Sequence, residues 1–184
     1  MLFRASLKTL SLLYVLVLLL LWYLSPFLGA RLGDWGRVVA PLLCLLLPAF
    51  LYVLIFRLNP NTYFRLARIR FLDLLWVLVL TLLVVLGIHY LLKLQAHWWP
   101  VPQSSPSYGA FHFKAPLAET LFQVFSLAIV PALVEEVFFR GLFLEELKKY
   151  LPKFWALLLS ALAFSVAHGQ WHFLLSFFLL GLYL

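Results

Sequence analysis

The sequence has little charge. Only 11% of its 184 residues are charged, whereas 65% are hydrophobic, and the mean hydropathy is +1.03. A soluble domain is about half apolar and about a quarter charged, so this composition excludes an ordinary soluble protein and indicates a polytopic membrane protein. The net charge of +7 fits basic loops that set membrane orientation and does not indicate nucleic-acid binding.

The sequence also has a single cysteine and lacks several enzyme signatures. Cys44 lies in an apolar run, so an internal disulfide is excluded and the thiol is expected to pack as a small hydrophobic group. No glycine-rich phosphate loop, Cys/His zinc cluster or serine-nucleophile motif is present. These absences leave few enzyme classes open.

Apolar runs of about 20 residues predict membrane-spanning helices. A sixth run, Phe173 to Leu184, reaches only 12 residues, so the chain is expected to be a fragment of a longer protein. The first run follows Arg4 and Lys8 but lacks a small-residue cleavage site, so we interpret it as a retained helix. The fold class is all-α, a polytopic transmembrane helix bundle with five full spans and a truncated sixth; the full spans are placed at about 7–28, 38–56, 71–94, 118–147 and 154–168.

The basic residues predict the orientation of these helices. Nine of them fall on the side that holds the N-terminus and four on the other side. The positive-inside rule therefore predicts a cytoplasmic N-terminus. We divide the chain into an N-terminal three-helix membrane region with an external loop, 1–117, and a second region, 118–184, that holds the candidate chemistry.

Two adjacent carboxylates, Glu135 and Glu136, lie inside the fourth predicted span. Ionisable side chains at membrane depth are costly and mark functional sites. Arg140 lies four residues after Glu136, so the two share a helix face and can pair. Glu135 points about 100° away and need not share that partner, which leaves it available as a general base and acid.

The next predicted helix carries Phe164 and His168, again four residues apart on one face. Glu135 lies about 18 Å from one end of its helix, and His168 lies about 21 Å from the adjoining end of the next. The short loop makes these helices antiparallel neighbours, so the two side chains are predicted to meet near mid-bilayer. A carboxylate beside an imidazole indicates an activated water, with or without a metal.

The pattern Glu135-Glu136-x-x-x-Arg140, followed by Phe164-x-x-x-His168, resembles the first two motifs of the CAAX-protease and bacteriocin-processing (CPBP, Abi) family. These are intramembrane peptidases related to the prenyl-protein endopeptidase, and the resemblance covers roughly 118–184. It implies that Glu135 activates the attacking water, that Glu136 and Arg140 form a structural or electrostatic pair, and that His168 holds the water, a metal or the oxyanion. A later His-x-x-x-Asn or His-x-x-x-Asp motif of the family is not in this sequence.

The resemblance implies an endopeptidase, glutamic or metallo, that acts on a membrane-associated protein or peptide, with prenylated CAAX-type proteins as one substrate class. Catalytic residues would be Glu135, Glu136 and His168, supported by Arg140 and Phe164. His168 is the candidate ligand should a divalent metal such as zinc be bound. The expected partners are the substrate and the lipid bilayer, with no nucleic acid, and the expected location is the plasma (inner) membrane.

Other interpretations remain open at this point. The same residues could form a purely structural network, as in a non-proteolytic scaffold, immunity or assembly factor, or Glu135 could be the proton site of a small transporter. His172 is expected not to be a ligand, because Gly169 interrupts the helix. Glu145 and Glu146 are expected at the membrane interface beside Lys148 and Lys149. Four residues are candidates for interhelical hydrogen bonds: Gln123, Ser126, Ser160 and Asp73, the last of which can instead pair locally with Arg70.

Overall fold

The computed structural model describes residues 5–64 and 116–183, together with the isolated positions 79, 83, 86, 87, 90, 91, 93–95 and 97. Throughout these residues the regular structure is helical and no strand occurs, which confirms the all-α class for them. The helices of the two continuous stretches are α1 Leu7–Leu32, α2 Asp34–Ile55, α3 Pro60–Tyr63, α4 Leu117–Leu147, α5 Lys153–Ala167 and α6 Trp171–Tyr183.

Three of these helices, α1, α2 and α4, are long and apolar enough to cross a membrane. They agree with the spans predicted at 7–28, 38–56 and 118–147, and the protein is an integral membrane protein. α5 and α6 are apolar but shorter; the 15 residues of α5 extend about 22 Å, less than the hydrocarbon core of about 30 Å. The predicted count of five full spans is therefore not confirmed. The helix predicted at 71–94 lies outside the described residues, apart from isolated positions.

Local sequence signals explain where the first helices begin and turn. Ser6 caps α1: its side chain accepts from the Thr9 amide, and the Thr9 hydroxyl accepts from the Ser6 amide at 2.9 Å. Gly33, with a φ of 56°, joins α1 to α2 in a conformation that costs glycine little. The Asn59 side chain caps the single turn of α3.

Prolines account for three widened turns in the long helices. The segments Leu20–Leu24, Leu42–Leu46 and Phe125–Ile129 have π-helical winding, and each is centred four residues before a proline. Proline lacks an N–H, and its ring clashes with the carbonyl four residues earlier. Widening the turn there relieves the clash. Pro131 follows this pattern, because Leu127, four residues before it, is at the centre of the third segment.

A fourth widened turn, Glu136–Phe143, is not followed by a proline within α4. It contains the Glu136–Arg140 pair. Gly141 in this segment lies so close to the Tyr63 carbonyl oxygen that a Cβ there would overlap it. π-helical turns within α-helices often occur at functional sites, and here the turn is held by contacts with neighbouring elements.

Side-chain contacts join the helices around an apolar core. The Tyr14 hydroxyl of α1 donates to the Ala163 carbonyl of α5 at 2.8 Å. Cys44 is free and buried, as predicted, and its thiol lies 3.4 Å from the Leu20 carbonyl. α5 and α6 pack closely, because Gly181 lies against Ala161. Among the described residues, the three largest fully buried side chains belong to α4 and α5: Phe138, Phe139 and Phe164.

Candidate active site

The two predicted motifs meet in the structure. Oε1 of Glu135 on α4 lies 4.0 Å from Nε2 of His168, which directly follows α5. Their side chains are 25% and 22% exposed, so both are mostly buried and yet reachable. The sequence-based expectation that a carboxylate and an imidazole approach each other is confirmed as geometry.

A hydrogen bond anchors one nitrogen of the His168 imidazole. Its Nδ1 lies 2.8 Å from the Phe164 carbonyl oxygen. A carbonyl only accepts hydrogen bonds, so Nδ1 must donate, and in the neutral ring Nε2 then carries the lone pair. The nitrogen that faces Glu135 can therefore accept a hydrogen bond from a water molecule.

Arg140 connects three helices. Its Nε lies 3.6 Å from Oε2 of Glu136, as the spacing of four residues predicts. Its Nη2 donates to the Gly181 carbonyl of α6 at 3.0 Å. The guanidinium carbon also lies 4.7 Å from the centre of the Phe164 ring of α5, a cation–π distance. Phe164 thus supports the arginine with its ring and the histidine with its carbonyl group.

The widened turn changes the expected relation of Glu135 to Arg140. In an α-helix Glu135 points about 100° away from Glu136, so the sequence indicates that Glu135 need not share the arginine. A π-helical turn widens the hydrogen-bond step from i→i+4 to i→i+5, which alters these angular relations. Arg140 interacts electrostatically with both carboxylates, so the guanidinium charge stabilises the negative charge of the pair as a whole.

A largely apolar cavity of about 890 Å³ reaches this cluster from the side of Glu136. Leucines of α2 form one wall, and the wall of α4 carries Glu136 and Arg140. Glu135 and His168 do not line it. The cavity is therefore lined by the Glu136–Arg140 pair and not by the carboxylate and imidazole of Glu135 and His168.

The described donors do not fit a zinc centre. A catalytic zinc has three protein ligands, and no group of three or more His, Cys, Asp or Glu side chains in the described part of the chain could hold a metal ion. Glu135 and His168 supply two such donors. His172 lies in the first turn of α6, beyond the break at Gly169, as expected from the sequence.

A polar cluster at the end of α4 contains a partner that the sequence analysis did not identify. Glu145 pairs with Lys148 at 3.1 Å, and Glu146 is fully buried against the protein. Its Oε1 accepts hydrogen bonds from the Tyr63 hydroxyl and from Lys149, both at 2.5 Å. The signal that sequence analysis missed is the tyrosine of α3, which is 83 residues away along the chain.

The serines predicted to join helices differ in their contacts. The Ser160 hydroxyl of α5 donates to the Phe139 carbonyl of α4 at 3.1 Å, which confirms its interhelical role. The hydroxyl of Ser126 instead donates within its own helix, to the Gln123 carbonyl. Phe139 lies in the widened turn, and its carbonyl also accepts from the Leu144 amide. Ser160 therefore helps to hold the turn that carries the motif.

Together these residues define a membrane-embedded helical protein with a carboxylate–imidazole pair at a helix–helix contact. Residues 116–184 match the family model described as type II CAAX prenyl endopeptidase Rce1-like. The resemblance drawn from the two motifs is thereby confirmed for this part of the chain, and a match to a protease family supports a peptidase. No curated protein and no solved structure gives a match.

Proposed function

We propose that this protein is an intramembrane endopeptidase in which Glu135 activates a water molecule for attack on a peptide bond. The observation that supports this most directly is the 4.0 Å separation between Oε1 of Glu135 and Nε2 of His168. That distance exceeds a direct hydrogen bond, yet one water at about 2.8 Å from each atom would fit between them. Such a water has a proton acceptor on either side.

In the proposed reaction, Glu135 takes a proton from the water while the water oxygen bonds to the carbonyl carbon of the substrate. His168 orients the same water by accepting its other O–H at Nε2. The protonated Glu135 then gives its proton to the amide nitrogen, and the C–N bond breaks to leave a carboxylic acid and an amine. One side chain thus serves as general base and then as general acid.

Glu136 and Arg140 are proposed as an electrostatic pair that accompanies this reaction. Arg140 contacts the helices of both motifs, so it fixes Glu135 relative to His168 while balancing the negative charge of two adjacent carboxylates. The substrate is proposed to be a peptide or protein at the membrane, with prenylated CAAX-type proteins as the first class to test. We further propose a cytoplasmic N-terminus and a plasma (inner) membrane location.

The test uses the purified chain in lipid nanodiscs with a fluorogenic prenylated peptide and its unprenylated counterpart. Glu135→Gln should lower kcat at least about 100-fold, since a general base contributes about 10²- to 10⁴-fold. Glu119→Gln is the matched control, because Glu119 lies in the first turn of the same helix, and its kcat should stay within about twofold.

Cleavage by Glu135→Gln at the wild-type rate would contradict the peptidase assignment. A scaffold or immunity factor would retain its biological effect in Glu135→Gln and in His168→Ala. A proton-coupled transporter would show flux without cleavage products. Each alternative is thus separated from the peptidase by its own readout.

A further inference from the structure

The His168 ring lies between two aromatic side chains that come from different helices. Phe164 of α5 lies 4.6 Å from it, tilted by 59°. Phe177 of α6 lies 4.0 Å from it at an angle of only 22°, which is a stacked arrangement. The stacked partner lies on the helix that follows the second motif, outside both motifs.

A single hydrogen bond does not fix the plane of an imidazole. The terminal torsion of histidine is broad, so the Nδ1 bond to the Phe164 carbonyl anchors one atom and leaves the ring free to tilt about it. A flat neighbour at 4.0 Å removes that freedom. The two contacts together fix the direction in which Nε2 points.

The same face of α6 also contacts the first motif. Gly181 lies four residues after Phe177, so the two share a helix face. The Gly181 carbonyl accepts the bond from Arg140, and a Cβ at this position would come within 3.0 Å of Ala161. Close packing at Gly181 therefore fixes the position of α6 along α5, and with it the position of the Phe177 ring against His168.

We propose that Phe177 is a positioning residue that holds Nε2 of His168 toward Glu135, with Gly181 fixing the position of α6 that this requires. The orientation of the ring is a property of the fold. Its consequence for catalysis rests on the proposed peptidase function.

The chain offers a matched control in the adjacent residue. Phe178 has the same side chain in the same helix but lines an apolar groove with α5 residues such as Trp155 and Leu159. Phe177→Leu and Phe178→Leu therefore make the same chemical change on two faces of α6. Phe177→Tyr keeps a flat ring and serves as the conservative rescue.

The first readout is peptide cleavage. The interaction energy of an aromatic pair corresponds to a factor of about three to ten in a rate constant. Phe177→Leu should therefore lower kcat by about that factor and leave KM within about twofold of the wild-type value. Phe178→Leu should leave both constants unchanged, and Phe177→Tyr should restore kcat. Gly181→Ala, which displaces α6, should lower kcat in the same way as Phe177→Leu.

The second readout does not depend on cleavage. Diethyl pyrocarbonate modifies unprotonated imidazole nitrogens, and its reaction at His168 can be followed by mass spectrometry with exposed His97 as the internal reference. Phe177→Leu frees the ring and uncovers one face, so modification of His168 should be at least about threefold faster. Phe178→Leu should react as the wild type does.

Equal effects of the two leucine variants, or no effect of Phe177→Leu on either readout, would overturn the positioning role. Faster modification in Phe177→Leu alone, in a chain that cleaves no peptide, would overturn the peptidase and support the ring-orienting role. A loss of cleavage in Glu135→Gln with wild-type behaviour of Phe177→Leu would support the peptidase and overturn the role of Phe177.

Discussion

Oε1 of Glu135 and Nε2 of His168 face each other at 4.0 Å, beyond the distance of a direct hydrogen bond. The histidine donates its N–H at Nδ1 to the Phe164 carbonyl, so Nε2 is an acceptor in the neutral ring. An ionised carboxylate oxygen is also an acceptor, and two acceptors at this separation are complementary to a water molecule or to a cation. A bound metal ion would need further protein ligands, whereas a water molecule would not, so the number of ligands distinguishes the two.

We expect cleavage to persist in the presence of chelators. Among the residues that the structure describes, the site offers two donors, one fewer than a catalytic zinc centre uses. After prolonged incubation with EDTA or o-phenanthroline, kcat should stay within about twofold of the untreated protein. Loss of activity that zinc restores would contradict this prediction and would place a further ligand beside His168.

Ser160→Ala should reduce activity and stability together. The change removes the hydroxyl that donates to the Phe139 carbonyl in the widened turn. A buried hydrogen bond contributes about 1 kcal/mol, and the turn that presents Glu136 and Arg140 would lose an anchor. Since 1.4 kcal/mol corresponds to a tenfold change in rate, we expect kcat to fall about threefold to tenfold. The thermal midpoint, measured on the same samples, should fall as well.

Two variants control the Ser160 prediction. Ser160→Thr retains the hydroxyl and should keep most of the activity. Ser126→Ala removes the hydroxyl of another buried serine. The hydrogen bond of that hydroxyl lies within α4 and away from the motif. This variant should change the thermal midpoint without changing kcat. Equal kcat values for Ser160→Ala and the wild type would contradict the prediction, because they would show that this hydrogen bond does not affect the reaction.

Two glycines should respond in opposite directions to alanine. At Gly141 a Cβ would overlap the Tyr63 carbonyl oxygen, whereas at Gly29 in α1 nothing lies within 4 Å. Gly29→Ala should raise stability by up to about 1 kcal/mol through helix propensity. Gly141→Ala should lower it by about 1–3 kcal/mol through overpacking. Thermal unfolding in one detergent measures both, and a stabilised Gly141→Ala would contradict the close approach.

Alkaline pH should loosen the contact between α3 and the end of α4. Burial raises the pKa of Tyr63 above its ordinary value of 10.0, and the hydrogen bond to Glu146 adds to this rise. For Lys149, burial lowers the pKa, but hydrogen bonds to Glu146 and Tyr63 outweigh it, so the pKa is above 10.5. The folded state thus retains protons that the unfolded state releases.

The resulting stabilisation is complete below about pH 10 and is lost as the pH rises through the folded-state pKa values. The thermal midpoint of the wild type should therefore fall more steeply than that of Lys149→Met as the pH rises above about 10. The double variant Tyr63→Phe, Lys149→Met should show the flattest profile. Parallel profiles for all three proteins would contradict the role of the cluster.

The sequence predicts the helices and the two motifs because both depend on local spacing. A separation of four residues places Glu136 beside Arg140, and the short loop after α4 brings His168 back to Glu135. The burial of Glu146 and the stacking of Phe177 depend on contacts between distant segments, so periodicity gives no sign of them. The widened turn at Glu136–Phe143 also lacks the proline that would have signalled it.

Tyr63 contacts α4 at two heights. Its carbonyl oxygen packs against Gly141 inside the widened turn. Its hydroxyl donates a hydrogen bond to Glu146, about one helical turn further along α4. Changes in the short connection around α3 would therefore alter the geometry of Glu136 and Arg140 without touching a reacting atom. A saturation screen for loss of function should then score this connection alongside the two motifs, and variants there should be rescued by second-site changes in α4 rather than by changes at Glu135 or His168.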